Sequence, residues 1–241
     1  MKPWVLVTGA ARRIGRVIAL DLAKAGWNIV IHYNTSQKEA LSLAKEIQEL
    51  KVDTCLAELD LDNGSLVEKL IPSLIAEIPA LCALVNNASL FETDPYDLDG
   101  SRHTRVNFEA PRLLSETLHR YQNKKAVIVN ILDTDPTKPE FTAYNRSKRA
   151  LHELTLSNAL TFAPRTRVNG VAIGPVLRNE RESPAHFQSN VEKTLIKYQP
   201  TPEDVASSVR CLIENISLTG NILYADAGLH LLKNEKLTGG K

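Results

Sequence analysis

Short apolar runs alternate with longer stretches of helical period from one end of the chain to the other. Residues 4–8, 28–33, 54–59, 82–86, 126–131, 167–173 and 221–224 are aliphatic or β-branched and mostly bounded by Gly, Asn, Asp or Pro, which predicts seven strands. Between them, residues 14–25 place Ile14, Val17, Ile18, Leu22 and Ala25 along one stripe, and residues 41–50 align Leu43, Ile47 and Leu50. Residues 101–122, 143–162 and 202–214 read as further helices. Alternation of strand and helix means a parallel sheet with helices on both faces, because each crossover returns to the same sheet edge. Strands buried on both faces should be continuous apolar runs, as LCALV and AVIVNI are. The expected fold is a single doubly wound α/β domain of about seven parallel strands.

Nothing in the chain suggests a second domain, so residues 1–241 read as one. The least regular stretch is 174–202, with prolines at 175, 184, 200 and 202 and seven charges between Arg178 and Lys197. It is expected to be a long loop, serving either as a substrate lid or as a solvated insertion.

Composition narrows the function classes. With 29 basic and 28 acidic residues the net charge is +1, which argues against a coat for nucleic acid or an anionic membrane. Cys55, Cys82 and Cys211 form no CxxC, and an odd number cannot all pair, so a reducing, cytoplasmic compartment is expected. The opening MKPWVLVTGAARRIG has too short an apolar run for a secretion signal. The most apolar stretch, residues 70–85, contains Pro72, Glu77 and Pro79 and does not read as membrane-spanning. The histidines show no metal spacing, since HExxH fails at Leu156, and no metal is expected.

The first strand runs into TGAARRIG and then a helix. Such a turn aims free backbone N–H groups and a positive dipole end at a phosphate, as in Rossmann-type folds. Gly9 permits the tight turn and Gly15 a close helix–sheet approach, but the usual middle glycine is replaced by Arg13. A plain strand–helix turn with two surface arginines is the alternative. The second strand ends in HYNTS, and no Asp or Glu occurs between Asp21 and Glu39. A fold that prefers NAD would place a carboxylate there for the ribose 2′-hydroxyl. Asn34, Thr35 and Ser36, with Arg12 and Arg13, suit a 2′-phosphate instead. Thr35 or Ser36 could also cap the next helix.

Tyr144 and Lys148, in YNRSK, lie one helical turn apart on one face. A neighbouring ammonium favours a phenolate and lowers the tyrosine pKa, so the pair can pass a proton where a hydride arrives. Alone, YxxxK also describes a solvated tyrosine beside a lysine.

With TGAARRIG, Asp60 in LDLDN, NNAS at 86–89, Asn107 in RVNFEA, YNRSK and the tail from Thr201, the chain resembles the short-chain dehydrogenase/reductase family over nearly its whole length. That resemblance implies hydride transfer between a nicotinamide cofactor, here NADP(H), and a carbonyl, alcohol or C=N bond. It implies a cofactor surface of Gly9, Arg12, Arg13, Ile14, Gly15, Tyr33, Asn34, Thr35, Ser36, Asp60, Leu61, Asn87, Ala88, Ser89, Tyr144, Lys148 and Pro175. Asp60 should meet the adenine amine, with Leu61 beside it, and Asn87 and Ala88 should line the ribose. Lys148 should hold the nicotinamide ribose, and Asn107 should support a water chain to it. The family also implies a homotetramer built through residues 101–122 and 143–162. The turn after the last strand reads DAG, with Ala227 where glycine is common, which is expected to be harmless.

One departure is informative. The family ends its fifth strand in a serine; here the strand reads VIVNILD and Asp133 takes that place, eleven residues before Tyr144, two fewer than usual. Pteridine reductases resemble this chain at Arg13, HYNTS, NNASLF and the Asp–Tyr–Lys set, although a basic residue of theirs is Thr35 here. They imply a catalytic set of Asp133, Tyr144, Lys148 and Asn107. They also imply a substrate surface of Arg13, Ser89, Phe91, Asp133 and Tyr144. An ionised carboxylate only accepts hydrogen bonds, which suits the amino-pyrimidine edge of a pteridine. Phe91 would stack on one face of that ring, or else pack in the core. The competing expectations are a reductase of ketones or 3-oxoacyl thioesters, and a non-catalytic NADP(H)-binding protein.

Overall fold

The computed structural model describes residues 2–91, 101–134, 142–179 and 182–232. Seven parallel strands form one sheet: β1 (Trp4–Val7), β2 (Asn28–Tyr33), β3 (Thr54–Glu58), β4 (Leu81–Asn86), β5 (Ala126–Asp133), β6 (Thr166–Ile173) and β7 (Ile222–Ala225). Their order is β3-β2-β1-β4-β5-β6-β7, so the winding reverses between β1 and β4. Ligands of doubly wound sheets bind beside that reversal, outside the carboxyl ends of the strands.

The helices α1 (Arg13–Lys24), α2 (Gln37–Glu49) and α8 (Pro202–Glu214) cover one face. Ile18, Leu22, Leu43, Ile47, Val205, Val209 and Leu212 pack there against Val5, Val7, Ile29 and Ile31. Leu50 lies past the end of α2 and is exposed, so the expected stripe stops at Ile47. The opposite face carries α3 (Gly64–Glu77), α5 (Ala110–Tyr121) and α6 (Ala143–Thr161), with Val67, Ile71, Leu114, Leu118 and Phe162 against Leu6, Leu84 and Ile128. A short turn, α4 (Ser101–Thr104), runs into α5 through a π-helical stretch at Arg105–Glu109.

Three local findings differ from the sequence reading. Helix α3 is not among the helices that the apolar period predicts, and Pro72 inside it carries a local penalty of about 3 kcal/mol. Burial of Val67, Ile71 and Leu74, and an Asn63 side chain that accepts from the Leu66 N–H, hold the helix nonetheless. Residues 174–202 are not one loop. They contain α7 (Pro184–Glu192), started by Ser183, whose hydroxyl accepts from the His186 N–H, and by Pro184 in the first turn. Finally, β5 runs two residues past Ile131, so Asp133 is its last residue and pairs in register with Ile173.

Candidate active site

The turn after β1 is built by close approach. Gly9 has φ +62°, and a Cβ on it would meet Ala88 Cα at 3.2 Å. A Cβ on Gly15 would lie 2.3 Å from the Gly9 carbonyl, so Gly15 takes no side chain, while at Gly9 a side chain would be crowded and strained. Arg13, which replaces the usual middle glycine, keeps the left-handed backbone at φ +53°. For a non-glycine residue this costs roughly 1–2 kcal/mol. Arg12, the residue before α1, is extended and makes no side-chain cap bond. Arg13 is exposed, and its guanidinium donates to the Arg178 carbonyl at 3.0 Å, joining this turn to the segment after β6. Ile14 is half-buried against the first core layer.

Thr8 holds the neighbouring turn in place. Its hydroxyl accepts from the Asn87 and Ala88 N–H groups at 2.9 and 3.0 Å, and the Asn87 amide donates to the Thr8 carbonyl at 2.9 Å. At the tip of β2, Tyr33 is buried and its hydroxyl donates to Glu58 at 3.2 Å. An acid from β3 therefore reaches the strand tip that lacks one in sequence. Asn34 and Thr35 are exposed, and Ser36 precedes α2 without a side-chain cap bond, so the capping alternative fails for Ser36. Asp60 accepts from the Asp62 N–H at 3.0 Å, and Asp62 pairs with Arg102 and Arg105. The Leu61 side chain packs in the second core layer.

At the carboxyl end of β5, the Tyr144 hydroxyl donates to Asp133 Oδ1 at 3.1 Å. The expected depression of the Tyr144 pKa is not what the structure produces. Burial first, then the charge and hydrogen bond of Asp133, push the phenol well above its ordinary value, against a smaller opposing effect of the Ser89 hydroxyl. The Lys148 ammonium lies 5.9 Å from the Tyr144 ring centroid and donates to the Ile131 carbonyl at 3.1 Å. Burial pulls its own pKa down, opposed by Asp133. The tyrosine is thus held as a phenol, ready to donate.

Asn107 is fully buried in the π-helical stretch. Its amide donates to the Leu90 carbonyl and the Ser147 hydroxyl, and its oxygen accepts from the Leu90 N–H and the Ser89 hydroxyl. Protein groups use all of the side-chain amide's capacity, so it clamps Ser89–Leu90 to α6. Phe91 is 56% exposed and meets Tyr144 edge-on at 4.8 Å, which removes the core-packing alternative. Pro175 follows Gly174 beyond the end of β6. The contracted segment at 135–141 lies outside the described residues.

Asp133, Tyr144, Lys148, Ser89, Asn107 and Phe91 therefore share one end of the sheet, beside the turn that carries Gly9, Arg13 and Gly15. The sequence reading missed Thr8, Glu58 and the Arg178 carbonyl. Thr8 stood inside the turn motif; the other two had no signal, because their partners are distant in the chain. His32 was visible in HYNTS but was weighed only as a metal ligand. Among the described residues no group of three metal-ligating side chains occurs, and no helix is long and apolar enough to cross a membrane.

The short chain dehydrogenase family model matches residues 3–185. A dihydromonapterin reductase of Klebsiella pneumoniae is 26% identical over 235 residues, covering 93% of this chain and 95% of that protein. Among solved structures, FolM alternative dihydrofolate reductase 1 from Brucella canis, complexed with NADP, superposes with a TM-score of 0.87 at 35% identity, covering 95% of this chain and 94% of that one. Acetoin dehydrogenase YohF from Salmonella typhimurium gives a TM-score of 0.85 at 25% identity, covering 96% and 97%.

Proposed function

We propose that this chain, which belongs to the short chain dehydrogenase family, is an NADPH-dependent reductase of a pteridine. The observation that carries the reading is the 3.1 Å Tyr144–Asp133 hydrogen bond at the carboxyl end of β5, with the exposed Phe91 ring against the same tyrosine. Asp133 suits the donor edge of an amino-pyrimidine, and Phe91 offers an apolar face to a flat ring. A ketone has no such donor edge. The relatives named dihydromonapterin reductase and alternative dihydrofolate reductase support the same class of substrate.

The residues present fit NADP(H). Close packing at Gly9 and Gly15 fixes the turn ahead of α1, and the N-cap residue Arg12 makes no side-chain cap bond there, which suits this helix N-terminus to a pyrophosphate. Arg12, Arg13, Asn34, Thr35 and Ser36 would hold the 2′-phosphate, and Asp60 the adenine amine. Asn87, Ala88, Lys148 and Pro175 would line the ribose and nicotinamide end. When bound, the cofactor supplies the hydride. Tyr144 delivers the proton from its hydroxyl to a ring nitrogen, Asp133 orients that hydroxyl, and Lys148 stabilises the phenolate that results.

The outer faces of α5 and α6 expose Tyr121, Leu156 and Leu160, the last 82% exposed, which supports assembly into a homotetramer through these helices. The free cysteines Cys55, Cys82 and Cys211 suit a reducing cytoplasm.

NADPH oxidation against dihydropterins, quinonoid pterins, simple ketones and 3-oxoacyl thioesters, with NADH in parallel, tests the reading. Turnover of a dihydropterin with NADPH preferred over NADH is expected. Turnover of ketones alone would make it a carbonyl reductase, as the acetoin dehydrogenase likeness allows. Tight NADPH binding without any turnover would make it a non-catalytic binder.

A further inference from the structure

His32 is the penultimate residue of β2, 2% exposed, and no step above uses it. Its Nδ1 accepts from the Gly9 N–H at 3.0 Å, and its Nε2 lies 3.1 Å from the Leu59 carbonyl. An N–H can only donate and a carbonyl can only accept, so both contacts together require a bare Nδ1 and a protonated Nε2. The imidazole is neutral and in one tautomer. Burial supports this by pulling its pKa down to about 4, against weaker opposing effects that include the charge of Asp60.

The backbone around the ring runs the same way. The Ala10 N–H donates to the His32 carbonyl at 2.9 Å, and the Leu59 N–H to the Tyr33 carbonyl at 3.0 Å. His32 therefore takes up the first two N–H groups of the glycine turn and, with its far side, holds the residue that precedes Asp60. The turn and the Leu59–Leu61 segment leave from different strands, β1 and β3, which are not hydrogen-bonded neighbours; β2 separates them. The imidazole is a side-chain link that spans from one to the other at their carboxyl ends.

We propose that His32 is a positioning residue for the adenosine half of NADP(H), setting the spacing between the turn that receives the pyrophosphate and the segment that receives the adenine. The inference rests on the cofactor reading above. An apolar residue here would leave the Gly9 N–H and the Leu59 carbonyl unpaired and free to drift apart. Asparagine places an amide oxygen close to the Nδ1 position and keeps the Gly9 bond. Glutamine reaches toward the Nε2 position and keeps only the Leu59 bond.

NADPH fluorescence titration and 2′,5′-ADP calorimetry on wild type, His32→Leu, His32→Asn and His32→Gln test this, with thermal unfolding recorded for each. Both ligands should bind His32→Leu about tenfold more weakly, equivalent to roughly 1.4 kcal/mol. The KM for NADPH should rise by the same factor, while kcat at saturating NADPH and the pteridine KM stay within about twofold. His32→Asn should recover most of the affinity and His32→Gln should not. If His32→Leu fails to fold, the Asn–Gln comparison decides, and equal affinities overturn the inference. Wild-type binding with equally tight binding to His32→Leu overturns the inference alone. Wild type that binds neither NADPH nor 2′,5′-ADP overturns the functional reading, and the inference with it. A 15N NMR spectrum showing the imidazole protonated on Nδ1 also overturns it, because the Gly9 bond could not then exist.

Discussion

Replacing Asp133 by serine restores the residue common at this position in the family and isolates what the carboxylate does. In the structure Asp133 accepts from the Tyr144 hydroxyl at 3.1 Å, and after burial it is the main reason the phenol pKa stands well above its usual value. A hydrogen bond to a charged group contributes roughly 1.5–3 kcal/mol. That corresponds to about one to two decades in rate. The sign follows from the roles. Reduction needs Tyr144 protonated; removing a nearby negative charge makes the phenol easier to ionise. The alkaline loss of activity in Asp133→Ser should therefore begin at lower pH than in wild type. Pteridine kcat/KM should fall by about one to two decades even at neutral pH, because the donor edge of the ring loses its acceptor. Turnover of a simple ketone should be unchanged or better, and Tyr144→Phe should abolish both reactions. Steady-state NADPH oxidation with a dihydropterin and a ketone, followed from neutral to alkaline pH, measures all of this. Intact pteridine turnover in Asp133→Ser, or an alkaline limb that moves upward, would refute the reasoning and move the carbonyl-reductase reading ahead.

Other consequences follow from single residues. His32 has a folded pKa of about 4 against an ordinary 6.5, so the unfolded chain binds its proton more readily between those values. Stability should therefore be full above pH 6.5 and fall by up to about 3 kcal/mol as pH drops to 4; denaturant titrations should show a shallower decline for His32→Asn, and an identical slope would contradict the assigned state. Ala227 has φ +54° in the turn after β7, so it is not the neutral replacement for glycine that the sequence suggests. Ala227→Gly should stabilise the fold by about 0.5–1 kcal/mol, and a loss of stability in urea unfolding would count against strain there. Light scattering at micromolar concentration should report a tetramer, with Leu160→Glu shifting it toward smaller species; a wild-type monomer would defeat the assembly reading.

The alternation of apolar runs with helical stretches was enough to specify a parallel, doubly wound sheet, and residues 28–33 and 202–214 were read to the residue. Period and burial are local properties of such segments: a strand covered on both faces must be apolar throughout, and a helix on a sheet must carry one apolar stripe. The motif residues Gly9, Gly15, Tyr144 and Lys148 were legible for the same reason, since a tight strand–helix turn and a pair spaced by one helical turn are written in neighbouring positions, whereas Asp133 stood out only against the family's pattern. Helix α3 was not legible, because its support comes from α5 across the chain and outweighs the local penalty of Pro72. The balance of forces on Tyr144 was also beyond reach. Sequence spacing sets Lys148 one turn away, but only the packed site shows that burial and Asp133 together raise the phenol pKa, against the smaller effect of the Ser89 hydroxyl. Phe91 could be core or surface until the fold placed it at 56% exposure against Tyr144. The tautomer of His32 is decided by Gly9 and Leu59, 23 and 27 residues away in the chain. What neighbouring residues impose on one another was written in the sequence; which groups lose their water, and which distant partners meet them there, was settled only when the chain closed on itself.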